Sequence, residues 1–213
     1  MGKVWFGISV SLDGYSAGPD PSDAEPLGRG GEALHNWAFG LGAWRAAHGM
    51  DGGEVNASTP VVEESLANVG AILMGRNMFG GGPGPWGDDS WTGWWGDNPP
   101  FHVPVFVLTH YERDPLSMEG GTTFTFVTDG IESALDQARQ AAGGKDIQIA
   151  GGADLAQQYL AAGLVDEFEL HIAPIVLGGG ARLLDNLSPS LTVEPVRTVG
   201  APGVTHLKYR VRK

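Results

Sequence analysis

Residues 146–185 read DIQIAGGADLAQQYLAAGLVDEFELHIAPIVLGGGARLLD and hold the most informative junction of the chain. Ile147 and Ile149 mark a buried strand, Gly151-Gly152 a turn, and the residues from Ala153 to the stop at Gly163 a short helix. Beyond it Phe168, Leu170 and Ile172 alternate with Glu167, Glu169 and His171, the pattern of a strand with two unlike faces. A strand–Gly-Gly–helix junction aims free backbone N–H groups and the positive end of a helix dipole at one point. It therefore predicts an anion site, and the pyrophosphate of a nicotinamide dinucleotide is the anion expected.

Working outward, similar strand ends recur. Residues 3–10, KVWFGISV, are a buried strand followed by Leu12-Asp13-Gly14. Gly70 to Met74 form another, followed by Gly75-Arg76-Asn77, and Val103 to Thr109 a third. Helices are expected over Glu32–His48, after Ser58-Thr59-Pro60 with a hydroxyl cap, and after the capping box Asp129-Gly-Ile-Glu132. Thr122–Thr128 reads as a strand, and Leu191–Val199 and Val204–Val211 as a closing hairpin. Strands alternating with helices and then ending in strands predict a three-layer α/β fold. Its central sheet is mostly parallel with antiparallel C-terminal strands, over residues 1–213 as one domain. In open α/β sheets ligands gather at the carboxyl ends of the strands, so these turns are read together as one site.

Composition narrows the partners. The chain has 213 residues, no cysteine and a formal net charge of −12. Disulfides, thiol catalysis and thiolate metal sites are excluded. The acidic balance argues against nucleic acid, whose phosphates need clustered Lys and Arg. No apolar run approaches a membrane span, and the N-terminus lacks the shape of a signal peptide, so a cytoplasmic location is expected. Residues 79–101, rich in Gly and Pro, carry Trp86, Trp91, Trp94 and Trp95, which suits a flap over a flat substrate or a dimer contact. Trp37 is either a stacking surface for such a substrate or core.

Several strings are rejected. Gly28-Arg-Gly-Gly-Glu-Ala33 fits G-x-G-x-x-A but follows a Pro/Asp loop rather than a strand. Prolines spoil a second match at Gly82–Gly87. The histidines at 35, 48, 102, 110, 171 and 206 show no metal spacing and are read as surface or core residues.

ISVSLDG, ILMGRNMF and IAGGADLAQQYLAAGLVDEFELHIAPIVLGGG, at their spacing in this chain, resemble the dihydrofolate-reductase-like superfamily, and above all the reductase domain of riboflavin biosynthesis with its stand-alone bacterial relatives. The resemblance implies NADPH as hydride donor, a small heterocyclic substrate and a homodimer, for which an apolar Phe168/Leu170/Ile172 face is compatible. It implies that Gly75 and Arg76, with Asn77 beside them, meet the adenosine-side phosphates, Arg76 selecting the 2′-phosphate, with Thr109 and His110 nearby. Gly151, Gly152, Ala153 and Asp154 would cradle the pyrophosphate, the Ile8–Ser9 backbone the carboxamide, and Leu12–Ala17, including Gly14, a mobile loop over the nicotinamide. The reaction implied is hydride transfer to a C=N or C=O carbon, as in 5-amino-6-(5-phosphoribosylamino)uracil reductase or dihydrofolate reductase. The alternatives are an inactive nucleotide-binding or regulatory relative and a reductase of an unrelated metabolite.

Asp13 is the first candidate for proton relay or substrate positioning; an Asx turn before Gly14 is its other reading. Glu32 lies near the place where dihydrofolate reductase keeps an acidic residue on its first helix, and His35 and Asp154 are further candidates. Trp37, Trp86 and Trp91 are the expected substrate-stacking residues. The chain departs from the riboflavin reductases where they carry basic residues: those places hold Tyr15 and Gly7, Ile8 or Ser9.

Overall fold

The computed structural model describes residues 2–87, 90–187 and 191–212. Its strands are β1 (Val4–Val10), β2 (Tyr15–Ala17), β3 (Val69–Gly75), β4 (Pro104–Leu108), β5 (Leu116–Ser117), β6 (Thr123–Val127), β7 (Asp146–Gly151), β8 (Glu167–Ile172), β9 (Ala181–Arg182), β10 (Val193–Ala201) and β11 (Val204–Val211). The helices are α1 (Asn36–Phe39), α2 (Gly42–Ala47), α3 (Thr59–Ala67), α4 (Arg76–Phe79), α5 (Ile131–Ala142) and α6 (Ala153–Ala161). Nine strands form one sheet in the order β10-β11-β8-β1-β7-β3-β4-β6-β5. From β8 to β6 neighbouring strands run parallel, and β11 and β10 close one edge antiparallel. The predicted mixed α/β fold is the one observed.

Alternation along the strands sorts side chains onto two faces. Val4, Phe6 and Val10 of β1, Leu73 of β3, Phe106 of β4 and Ile147 and Ile149 of β7 pack under α5 and α6 to make the main core. Phe168 belongs to it as well, stacked on Phe6 at 5.1 Å and beside Tyr209, with Leu170 and Ile172 packed against its edge. The face read as compatible with a dimer contact is thus in use within the chain.

The opposite face has two halves. Over β3, β4 and β6 the residues Ile72, Met74, Val105, Val107 and Phe124 meet Phe79, Trp86, Trp91 and Trp95. Over β1, β8 and β11, Ser9, Glu169, His171, His206 and Lys208 meet Trp37 of α1 and the start and outer face of α3.

Local expectations fail in three places, each for a physical reason. The single helix Glu32–His48 is a 3-10 turn at Gly31–His35, then α1 and α2, broken where Leu41 leaves the helix, extended, to be buried and to pair beside Glu54. The capping box at Asp129 does not form: Gly130 is the N-cap of α5 and no side chain caps it. Ser58 precedes α3 as expected, but its hydroxyl is turned inward to His206 instead of capping.

Candidate active site

Adjacent parallel strands bring the ends of β1, β7, β3 and β4 to one edge of the sheet. There Gly75 approaches the Gly151–Gly152 cis peptide so closely that a Cβ at position 75 would stand 3.5 Å from both the Gly151 carbonyl oxygen and the Gly152 nitrogen. Gly151 has φ 140°, a conformation open to glycine alone. Gly152 faces free space, with nothing within 4 Å of the position its Cβ would take. It is also the N-cap of α6, and no side chain caps that end. The first N–H groups of a nine-residue helix therefore open beside bare backbone. This fits a diphosphate, which needs close main-chain approach and donors rather than bulk. Ala153 is buried in the first turn and Asp154 is exposed on it.

Arg76 follows Gly75 at the start of α4. Its guanidinium lies 3.0 Å over the centre of the Trp86 ring, and its Nη2 donates to the carbonyls of Gly81 and Gly82 at 3.1 and 2.9 Å. Its Nε and Nη1 are buried without a hydrogen-bond partner. Burial first, and then the charge of Arg113, lower its pKa. Arg113 reaches the same Trp86 ring at 4.7 Å. Beyond β4, the Thr109 hydroxyl accepts from the Tyr111 N–H while His110 is exposed, as is Asn77 on α4.

The tryptophans depart from the expected flap. Trp86 donates its indole N–H to the Tyr111 carbonyl and Trp91 to that of Phe79, while Trp95 meets Phe101 and Phe124. Their rings close an aromatic cluster around Phe79. Packing therefore claims the surfaces of Trp86 and Trp91 assigned to substrate stacking.

Asp13 is a clamp. It accepts from the Ser11 hydroxyl at 2.6 Å and from the Leu177 and Gly178 N–H groups at 3.1 and 2.7 Å. The Ser11 hydrogen bond is the chief cause that holds its carboxyl down at about 2, so it carries no proton to relay at neutral pH. It ties the end of β1 to the segment after β8. Gly14, at φ 86°, accepts from the Leu183 N–H, and β2 pairs with β9, so part of the expected mobile loop is strand. Glu32 is exposed on its 3-10 turn, away from the glycine backbone at the strand ends.

Beside the end of β1 lies a group absent from the sequence reading. The Trp37 indole N–H donates to the Ser9 hydroxyl at 3.2 Å, and its ring packs against His171 and His206 at 5.0 and 4.9 Å. The Nδ1 atoms of His171 and His206 are 2.8 Å apart, and His206 Nε2 is 2.9 Å from the Ser58 hydroxyl. Desolvation is the first cause that lowers both imidazoles, to about 3 for His171 and about 4 for His206. His35, also depressed by burial, adds to the field on His171. Ile8, between these positions on β1, packs its side chain toward the main core.

Among known proteins, the RibD C-terminal domain family matches residues 3–204. The uncharacterised Bacillus subtilis protein YyaP is 35% identical over 151 residues, covering 68% of this chain and 75% of its own. A Shewanella sp. PV-4 structure assigned provisionally to riboflavin biosynthesis superposes with a TM-score of 0.63 at 22% identity, over 99% of both chains. Dihydrofolate reductase from Enterococcus faecalis, solved with NADP(H), superposes with a TM-score of 0.53 at 14% identity, over 99% of this chain and 97% of that one. These two share the fold with it, and the chain belongs to the RibD C-terminal domain family.

Proposed function

We propose that this protein is an NADPH-dependent reductase that delivers a hydride to a C=N or C=O carbon of a small heterocyclic metabolite. The observation that carries the reading is the uncapped start of α6 opening onto the bare backbone of Gly75, Gly151 and Gly152. When bound, the reduced nicotinamide supplies the hydride. Gly151, Gly152 and Ala153 would hold the diphosphate, and the Ile8–Ser9 backbone the carboxamide. Arg76 retains two unpartnered nitrogens, Nε and Nη1, for the adenosine-side phosphate, and it follows Gly75, whose strand partner Leu108 precedes Thr109 and His110. Family membership and an NADP(H)-bound structural neighbour support the cofactor.

The substrate class is a pyrimidine or pteridine. The place where the sequence departs from the riboflavin reductases is not bare of charge: Arg182 lies 5.1 Å over the Tyr15 ring, brought there by β9. A phosphorylated pyrimidine therefore belongs among the substrates to be tried. One observation favours a binding protein without turnover, namely that Asp13, held as an acceptor by Ser11, Leu177 and Gly178, is not equipped to donate a proton.

The deciding experiment follows the absorbance of reduced nicotinamide with 7,8-dihydrofolate and with 5-amino-6-(5-phosphoribosylamino)uracil. Oxidation matched by reduced product establishes the enzyme. NADPH binding without oxidation of either supports the binding protein, and no NADPH binding removes both readings.

A further inference from the structure

The buried histidine pair has no part in the cofactor cradle, and its hydrogens can be assigned by counting. A hydroxyl carries one proton and a neutral imidazole one N–H. Burial keeps both rings neutral, with the Arg197 charge adding to the effect on each. The chain Ser58 Oγ–His206 Nε2 and His206 Nδ1–His171 Nδ1 can then run in two directions only. If His206 donated to Ser58, the serine proton would need a further acceptor. Ser58 is 1% exposed, and among the described residues its Oγ makes this hydrogen bond alone. A buried hydroxyl proton without an acceptor is disfavoured. So Ser58 donates to His206 Nε2, His206 donates from Nδ1, and His171 accepts at Nδ1 and must carry its own proton on Nε2.

That Nε2–H meets no acceptor among the described residues, and the ring that carries it is only half-buried, so it can reach a ligand where the Ser58 hydroxyl cannot. The nitrogen packs beside the Gly7 backbone, 3.1 Å from where a Cβ there would be, with Trp5 3.4 Å from the same point. Gly7 sits midway along β1, in the interior of the sheet, and the lack of a Cβ there is what lets the His171 ring and Trp5 pack against it. The ring edge is next to Trp37, whose indole N–H is on Ser9, two residues from Gly7 along β1. A metal is not the occupant the residues call for: among the described residues no three histidines or carboxylates are placed to hold one.

We infer that His171 is a substrate-binding residue whose Nε2–H, fixed as a donor by Ser58 and His206, holds a carbonyl oxygen or imine nitrogen of a planar heterocycle lying beside Trp37. The inference rests on the reductase reading and supplies what that reading lacks. A neutral imidazole can hydrogen-bond the heteroatom on which negative charge builds as hydride reaches the neighbouring carbon, without itself having to be ionised. The titratable and charged groups around the pair are His35 on the 3-10 turn, Glu169 on β8, and Arg197 on β10. Arg197 is held by Glu64 and Glu169, so it is committed elsewhere.

Nitrogen-15 correlation spectra of the histidine rings at neutral pH, recorded without cofactor, test the assignment on the whole protein. His171 is expected as the Nε2–H tautomer and His206 as the Nδ1–H tautomer; a proton on Nδ1 of His171 overturns the inference. With NADPH present, pteridine-2,4-dione serves as the probe. It should shift the His171 Nε2–H signal, and His171→Phe should weaken it by about tenfold, the upper range for one neutral hydrogen bond. His171→Gln, which keeps an N–H donor, should recover part of the loss. Equal probe affinity in wild type and His171→Phe also overturns the inference. Failure of NADPH to bind the wild type counts against the reductase reading, and is told apart because the tautomers are read in its absence.

Discussion

One face of the sheet is finished in two different chemistries. Over β3, β4 and β6 it is closed by rings, with Phe79 at the centre and Trp86, Trp91 and Trp95 around it. Over β1, β8 and β11 it is closed by imidazoles, hydroxyls and ion pairs. Ring packing depends on apolar area and shape and is nearly blind to pH. The polar half depends on which groups are charged. The contrast shows where stability and function divide: the half nearest the ends of β1 and β8 keeps polar donors that an apolar core would not need.

The largest effect expected from breaking this arrangement is in the aromatic half. Phe79 is 0% exposed, and Phe79→Ala should cost about 3–5 kcal/mol in urea unfolding, the usual range for emptying a buried phenylalanine site. A loss under about 1 kcal/mol would mean that the tryptophans do not close on it.

The polar half should answer to acid. His171 and His206 are depressed below the ordinary 6.5, so between that pH and their folded values the unfolded chain binds more protons. Their contribution is complete above pH 6.5 and is lost as pH falls toward 4 and below. Thermal melts should show this decline in wild type and a flatter profile in the double variant His171→Phe/His206→Phe. Identical profiles would contradict the burial of the pair.

Arg76 belongs to both the cradle and the aromatic half. Arg76→Ala should cost about 1–2 kcal/mol through the lost Trp86 stack and two carbonyl hydrogen bonds. It should also reduce NADPH affinity more than NADH affinity; equal losses would take Arg76 away from the 2′-phosphate. The smallest effect is expected at Asp13. Asp13→Asn should leave the melting temperature close to wild type yet speed proteolysis between Pro174 and Arg182, because it loosens the clamp on the Leu177 and Gly178 N–H groups. Unchanged proteolysis would deny it that role.

The two regions also differ in how far they could be read from the sequence. Glycine turns after apolar strands are local signals, so Gly75 and Gly151–Gly152 could be placed at one edge of a parallel sheet before any coordinates. The histidine pair depends on register: His171 and His206 face each other only because β8 and β11 pair antiparallel with those two residues opposite. Ser58 joins them from a helix start far along the chain, where its hydroxyl reads as an ordinary cap. Trp86 and Trp91 misled for the opposite reason. Gly/Pro-rich surroundings look like an open loop, and nothing local reveals that Phe79 and Phe124 lie beneath. Asp13 shows a third limit, since its partners at 177 and 178 decide between relay and clamp and lie in the segment after β8, far along the chain.

The central claim is that the glycine cradle binds NADPH, and calorimetric titration of wild type and Gly152→Ala tests it most directly. A methyl at position 152 meets nothing within 4 Å, so the fold should tolerate it while the space for a diphosphate fills. The account predicts saturable NADPH binding to wild type and a loss of about tenfold or more in the variant, equivalent to about 1.4 kcal/mol. No binding to wild type, or the same affinity in both proteins, would contradict it.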